Sequence, residues 1–120
     1  MKYTSLLLFC CASLIAGCAT APISYHYGNY SKTLYRTKKD NTPESILKHK
    51  NELEDIIKVS NKKGIRVPPG IYCEYAYMLS KQGNADANKY FTLEVATYPE
   101  SMKFVQFIQQ QVQQTPTNTK

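Results

Sequence analysis

Few residues in this chain of 120 could do covalent or metal chemistry, and those few stand apart from one another. The two histidines, His26 and His49, have no second ligand at a spacing that metal sites use. No HExxH, paired CxxC or GxSxG motif is present. The sequence therefore predicts neither an enzyme nor a small-molecule substrate, and no metal or cofactor is expected.

Two weaker patterns have both a chemical and a structural interpretation. Glu52 and Asp55 are three positions apart, so a helix would place two carboxylates on one face. Such a pair can serve general acid–base catalysis, but a solvated helix face is the commoner explanation. Cys73 would need a lowered thiol pKa to act as a nucleophile, and no neighbouring residue provides one. We expect it to be a small apolar side chain within a helix, with pairing to a partner's thiol as the alternative.

The clearest chemical signal lies at Cys18. A short positive segment at residues 1–5 precedes an apolar run over residues 6–15, which is about half the length that a membrane-spanning helix needs. The run ends in Ile15-Ala16-Gly17-Cys18, which resembles a bacterial lipobox: a branched apolar residue, two small residues and a cysteine. The small residues fit a narrow protease cleft, and the thiol can carry a diacylglyceryl group. The alternatives are an ordinary signal peptide or an apolar helix that contains a cysteine.

This pattern predicts a lipoprotein signal peptide over residues 1–17 and a lipidated tether over residues 18–24. Each buried methylene adds about 0.8 kcal/mol, so two or three acyl chains such as palmitate would hold Cys18 in a bilayer almost permanently. Ala19 follows the cysteine, where aspartate is the usual inner-membrane retention signal of Gram-negative lipoproteins. The resemblance therefore implies an outer-membrane lipoprotein that faces the periplasm.

Composition limits the rest of the chain to one small domain. The chain is 42% hydrophobic and 20% charged, with a net charge of +6. Its length supports one modest core and excludes a multidomain enzyme or a polytopic membrane protein. Cys10 and Cys11 would leave with the signal peptide and Cys18 would carry lipid. Only Cys73 would then remain, which excludes a disulfide-stabilised miniprotein.

Breakers and apolar spacing predict an all-α domain over residues 25–114 and a disordered polar tail over residues 115–120. The expected helices cover residues 29–38, 43–63, 69–82, 85–98 and 100–114. The second is the best marked, with Thr42 as its N-cap, Pro43 as its first residue and Gly64 as its left-handed end. His49 and Lys50 interrupt its apolar stripe, and we expect them to reach solvent from its edge.

The third and fourth predicted helices are similar to a tetratricopeptide unit. Such a unit needs small residues where helices approach closely, large ones around them, a tight turn and a stop. The matching residues are Tyr72, Ala76, Leu79, Gly83, Ala87, Phe91 and Pro99. The spacing from Gly83 to Ala87 is one residue short, and Tyr72 stands where tryptophan is common. A generic helical hairpin is the alternative, and both predict antiparallel helices packed side by side.

The chain also resembles a family of small bacterial lipoproteins with a domain of unknown function. The resembling stretches span residues 25–30, 34–35, 67–79 and 98–101, so they cover most of residues 25–105. Tyr27 stands where this family usually has tryptophan. Members are often encoded beside a curli-secretion-channel-like lipoprotein and a further small lipoprotein. The resemblance implies a lipid-anchored helical module that acts with such neighbours, and it carries over no catalytic residue.

Tyrosine usage provides the best candidates for a partner surface. The chain has 10 tyrosines and no tryptophan, and tyrosine suits interfaces because its ring buries area while its hydroxyl stays wet. Tyr72 and Tyr75 fall on the predicted core face, so Tyr25, Tyr27 and Tyr77 are the better interface candidates.

Residues 30–50 are also basic, which favours a solvated face, anionic lipid or an acidic partner. Nucleic acid is not expected beside an exported lipoprotein.

These observations predict an adaptor that the lipid on Cys18 holds at the outer membrane, where it binds other envelope proteins or lipoproteins. Confinement to two dimensions would raise its effective concentration for membrane partners. The main alternative is a peptidoglycan-acting enzyme or its activator, which should show an ionisable cluster in a pocket. An adaptor should instead show a groove lined by tyrosines. A pilot protein that escorts a secretion-channel subunit would share the adaptor's chemistry.

Overall fold

The computed structural model describes residues 22–114, and within that range the chain forms five α-helices and no strand. The helices are α1 (Tyr30–Asp40), α2 (Pro43–Lys63), α3 (Ile71–Lys81), α4 (Ala87–Thr97) and α5 (Met102–Gln114), with a 3₁₀ turn at Pro99–Ser101. The all-α prediction is confirmed, and each predicted helix is found with its ends shifted by at most two residues. The predicted signal peptide, Cys18 and the tail over residues 115–120 lie outside the described residues.

The sequence signals at both ends of α2 work as expected. The Thr42 hydroxyl accepts a hydrogen bond from the Ser45 amide at 3.2 Å, and the Ser45 hydroxyl accepts one from the Thr42 amide at 3.1 Å. This reciprocal capping satisfies two amides that the first turn would otherwise leave unpaired. Gly64 then adopts a left-handed conformation at φ 64° and ends the helix.

Contacts between α1 and α2 show that these two helices run antiparallel. The Thr37 hydroxyl donates to the Ser45 carbonyl at 3.0 Å, Thr33 pairs with His49, and the Asn29 amide donates to Glu52. Residue numbers therefore fall along α1 while they rise along α2. Asn41 makes the tight reversal possible because it adopts a left-handed conformation, at φ 46°.

The core lies between α2, α3 and α4, and α5 closes it from one side. The large residues that define the predicted hairpin are buried, and the small residues Ala76 and Ala87 lie between them. Both a tetratricopeptide unit and a generic hairpin bury these positions. The buried hydrophobic residues are Leu53, Ile56, Ile57, Val67, Ile71, Tyr72, Cys73, Tyr75, Ala76, Leu79, Ala87, Phe91, Tyr98 and Val105.

Two details of the helix stripes differ from the prediction. His49 is only 2% exposed, so it lies inside the helix packing and not at its edge. Lys50 agrees with the prediction, because it is half-buried and its ammonium donates to the Gln82 side chain at an exposed position, at 2.8 Å. The helical spacing of Met102, Val105, Ile108 and Val112 predicts that Met102 belongs to the buried stripe of α5. Met102 is 48% exposed instead, because it is the first residue of the helix and lines an open cleft toward α4. Within residues 22–114, no helix is both long and apolar enough to cross a bilayer.

Candidate protein-binding groove

An open groove of about 670 Å³ lies between α1, α3 and α5. This volume falls in the range of about 300–1,000 Å³ that ligand clefts usually have. Aromatic and aliphatic side chains form most of its surface, and few charged groups reach it. The groove is lined by Tyr27, Tyr30, Lys38, Pro69, Gly70, Ile71, Cys73, Glu74, Tyr77, Phe104, Ile108 and Gln111.

Three exposed aromatic side chains mark the rim of this groove. Tyr27 is 48% exposed, Tyr77 is 38% exposed and Phe104 is 56% exposed. They come from three different parts of the chain: the segment before α1, the middle of α3 and the first turns of α5. Large apolar side chains held in water beside a concavity are typical of surfaces that other molecules cover. Tyr27 and Tyr77, both predicted from sequence as interface residues, therefore lie on one groove.

Tyr25, the third predicted interface residue, is placed differently. It is half-buried and does not line the groove. Its ring packs edge-on against the Tyr27 ring at a centroid distance of 6.0 Å, and its hydroxyl lies 3.4 Å from the Tyr98 hydroxyl. Tyr98 in turn donates to the Val67 carbonyl at 2.7 Å. Tyr25 thus fixes the segment that carries Tyr27 onto the helices.

A polar network that links three helices lies beneath the groove. Glu74, in the first turn of α3, accepts a hydrogen bond from the Tyr30 hydroxyl at 2.8 Å and lies 2.9 Å from Nε2 of His49. Nδ1 of His49 lies 2.8 Å from the Thr33 hydroxyl. Both ring nitrogens of the buried histidine therefore have partners, as a buried polar group requires. The network fixes α1 and α2 relative to α3.

Electrostatics at the groove floor favour an ionised Glu74 and a protonated tyrosine. Burial raises the pKa of the Glu74 carboxyl, but the hydrogen bonds from His49 and Tyr30 outweigh that effect and leave the pKa lowered. Burial and the hydrogen bond to Glu74 raise the pKa of Tyr30 to about 12. The carboxylate therefore keeps its charge at neutral pH, and Tyr30 stays a hydrogen-bond donor.

A second carboxylate, on the neighbouring helix α4, holds the start of α3 in place. Glu94, on α4, is only 1% exposed. It accepts hydrogen bonds from the Gly70 amide at 2.9 Å, the Cys73 amide at 3.4 Å and the Ser101 hydroxyl at 3.3 Å. Gly70 precedes α3 at φ 86°, a conformation that favours glycine. A carboxylate at the N-terminus of a helix accepts hydrogen bonds from amides that have no partner within the helix, and it interacts favourably with the positive end of the helix dipole.

Cys73 behaves as the apolar interpretation predicts. The residue is 3% exposed, and burial together with the charges of Glu94 and Glu74 raises the pKa of its thiol to about 11. A thiol in that state is a poor nucleophile at neutral pH. Neither a catalytic role nor pairing with a partner's thiol fits this environment.

The other sequence candidates lie away from the groove. Glu52 is half-buried on α2, and it accepts a hydrogen bond from the Asn29 amide at 2.6 Å at the start of α1. Asp55 is exposed on the same helix. His26 is half-buried near the chain's first described residues. Among residues 22–114, no group of three His, Cys, Asp or Glu side chains is placed to hold a metal ion.

Several groove residues were not predicted from sequence. Among them are Glu74, Tyr30 and Phe104. The position of His49 within the apolar stripe of α2, four residues before Leu53, was the one available signal of its burial. The partners of His49 are 16 and 25 positions away, so no local pattern shows them.

The described fold is that of a small all-α domain with an aromatic groove on one side. Comparison with protein families matches residues 24–108 to the family described as Domain of unknown function (DUF4810). Since that match covers most of the chain, the protein belongs to this family. Comparison with curated proteins and with solved structures finds no match to this chain.

Proposed function

We propose that this protein is an adaptor that binds a partner protein in the groove between α1, α3 and α5. The observation that supports this proposal is the meeting of Tyr27, Tyr77 and Phe104 on one concave surface while all three remain exposed. Aromatic anchors around a pocket are the groups that contribute most to protein interfaces. Glu74, the groove's carboxylate, is already bonded to His49 and Tyr30.

The proposed site of action is the periplasmic side of the bacterial outer membrane. The lipobox at Cys18 and the residue after it support that location. Tyr25 lies only seven positions after Cys18, and an extended chain spans at most about 3.6 Å per residue. The groove would therefore stay within a few nanometres of the lipid. The partner is an envelope protein, and the resemblance to lipoproteins encoded beside a curli-secretion-channel-like lipoprotein makes such a lipoprotein the first candidate.

Crosslinking in intact cells tests this function directly. A photoreactive residue placed at Phe104 should form covalent adducts with a partner, and the double variant Tyr27→Ser/Tyr77→Ser should abolish them. Tyr35→Ser is the matched control, because Tyr35 is 67% exposed on α1 but does not line the groove. Adducts that persist in the double variant, or that Tyr35→Ser removes equally well, would show that the groove is not the binding surface.

A second candidate function is the peptidoglycan-acting enzyme, which the Thr33–His49–Glu74 relay favours. The Thr33 hydroxyl lies 2.8 Å from the His49 imidazole, and the other nitrogen of that imidazole lies 2.9 Å from the Glu74 carboxylate. A nucleophile triad has the same order of groups. However, the Thr33 hydroxyl is also 3.0 Å from the Tyr30 carbonyl of its own helix, which is the usual bond of a helical threonine. The imidazole is almost fully buried, so a structural role explains the relay better. Cell-wall turnover by the purified chain that Thr33→Val abolishes would reverse this preference.

A further inference from the structure

Among the described residues that line the groove, Lys38 and Glu74 carry charge, and the one without an ion-pair partner within 4.0 Å is the cation. Lys38 lines the groove from the last turn of α1 and is exposed. Within residues 22–114, no carboxylate oxygen lies within 4.0 Å of its ammonium. Lys81, one turn after Tyr77 on α3, adds a second positive charge beside the rim, with its ammonium 5.7 Å from the centre of the Tyr77 ring.

The negative charge in the groove is already surrounded by donors and by a cation of the chain itself. The Glu74 oxygens are engaged by His49 and by Tyr30, only 28% of the side chain is exposed, and the charge of Lys38 helps to lower the Glu74 pKa. A partner cation that approached Glu74 would find a largely covered carboxylate and would be repelled by Lys38. A partner anion would instead find Lys38 unpaired. Electrostatic complementarity across an interface therefore favours a negatively charged occupant.

The rest of α1, the helix that carries Lys38, is also positively charged, so it too would attract a negatively charged partner. In addition to Lys38, α1 carries Lys32, Arg36 and Lys39 against the single acid Asp40. A patch of one sign steers an oppositely charged partner toward the surface and raises the association rate at low salt. Since the walls of the groove are aromatic, the same partner must also present apolar side chains.

We propose that the groove binds an acidic polypeptide segment whose apolar side chains pack between Tyr27, Tyr77 and Phe104 while a carboxylate pairs with Lys38. This inference rests on the proposed adaptor function and adds the chemistry of the partner. It excludes basic segments, because they would face Lys38 and Lys81 without a free carboxylate in return.

Binding of designed probe peptides by the full chain tests the inference. The probes are a short fluorescent peptide with leucine and glutamate at helical spacing, and its counterpart with lysine in place of every glutamate. We expect fluorescence anisotropy to show binding of the acidic peptide only, weakened by added salt. Lys38→Glu turns an attraction into a repulsion and should weaken binding about tenfold, which corresponds to about 1.4 kcal/mol.

Lys62→Glu is the matched control, since it makes the same charge change at the far end of α2, where the side chain is exposed and outside the groove. It should leave the affinity within about twofold. Tighter binding of the basic peptide, equal effects of the two variants, or no binding of the acidic peptide would each overturn the inference. The adaptor function would survive any of these results if crosslinks at Phe104 still required Tyr27 and Tyr77.

Discussion

Replacing the Glu74 carboxylate by an amide tests whether the polar network beneath the groove holds α1 and α2 against α3. In Glu74→Gln the amide oxygen faces one of the two partners, His49 or Tyr30, and the amide nitrogen faces the other. Both charge-assisted hydrogen bonds are then lost, and neutral bonds replace them at best. A hydrogen bond to a charged group contributes about 1.5–3 kcal/mol, and an amide is cheaper to bury than a carboxylate. We therefore expect a net loss of about 2 kcal/mol in the free energy of unfolding.

Thermal and urea unfolding followed by circular dichroism measure this loss. For a domain of this size, 2 kcal/mol corresponds to a fall in Tm on the order of 10 °C. Asp55→Asn makes the same charge change at an exposed position of α2 and should shift the stability by less than about 0.5 kcal/mol. Equal Tm values for Glu74→Gln and the unmodified chain would refute the structural role of the network.

The pH dependence of the same pair of proteins provides a second readout. The pKa of Glu74 in the folded state lies below its ordinary value of 4.5, so its ionised form is the one that folding favours. The contribution of Glu74 is therefore fully present above pH 4.5 and is lost as the pH falls through the lower, folded-state pKa. The stability gap between the unmodified chain and Glu74→Gln should be largest at neutral pH and close in acid. A gap that widens toward low pH would contradict the assigned direction.

Three further predictions concern side chains inside the helix packing. Glu94→Gln should lower the free energy of unfolding by about 2 kcal/mol, as measured in urea. The reason is that the carboxylate, which is 1% exposed, accepts hydrogen bonds from two amides at the start of α3 through its two oxygens. An unchanged urea midpoint would contradict this capping role. Ser60→Ala should leave the free energy of unfolding unchanged or raise it by up to about 1 kcal/mol, because the fully buried Ser60 hydroxyl has no hydrogen-bond partner within residues 22–114. A clear loss of stability would contradict this. Cys73 should resist iodoacetamide at neutral pH in the folded chain and react in urea, as mass spectrometry can follow, since its thiol is buried with a pKa of about 11; rapid native labelling would exclude this environment.

The helices could be predicted because the signals for them are local. Thr42, Pro43 and Gly64 determine where α2 begins and ends through contacts within a few residues. The turn at Gly83 and the stop at Pro99 work in the same way. Apolar periodicity then identifies the buried side of most helices, although it misplaced His49 on α2 and Met102 on α5.

The groove could be predicted only in part, because it is made by residues that are distant in sequence. Tyr27 and Tyr77 were identified by residue type, but nothing in the sequence shows that they share one surface with Phe104. The buried Glu94 and the partly buried Glu74 were missed for the same reason. Glu94 caps a helix that begins 23 positions earlier, and Glu74 meets a histidine 25 positions away. A charged residue within an apolar stripe is the one local sign that such a partner exists.

In the proposed binding mode, stability and partner selectivity depend on the same carboxylate. While His49 and Tyr30 engage the Glu74 oxygens, the proposal assigns to Lys38 the sign of charge that the groove accepts. A variant that frees Glu74, such as His49→Ala, would lose the contact between α2 and α3 and would also expose an uncompensated negative charge at the groove floor. Acidic segments should then bind more weakly even where the helices remain folded. The buried histidine thus connects the packing of the helices to the chemistry of the surface they form, although it touches no ligand itself.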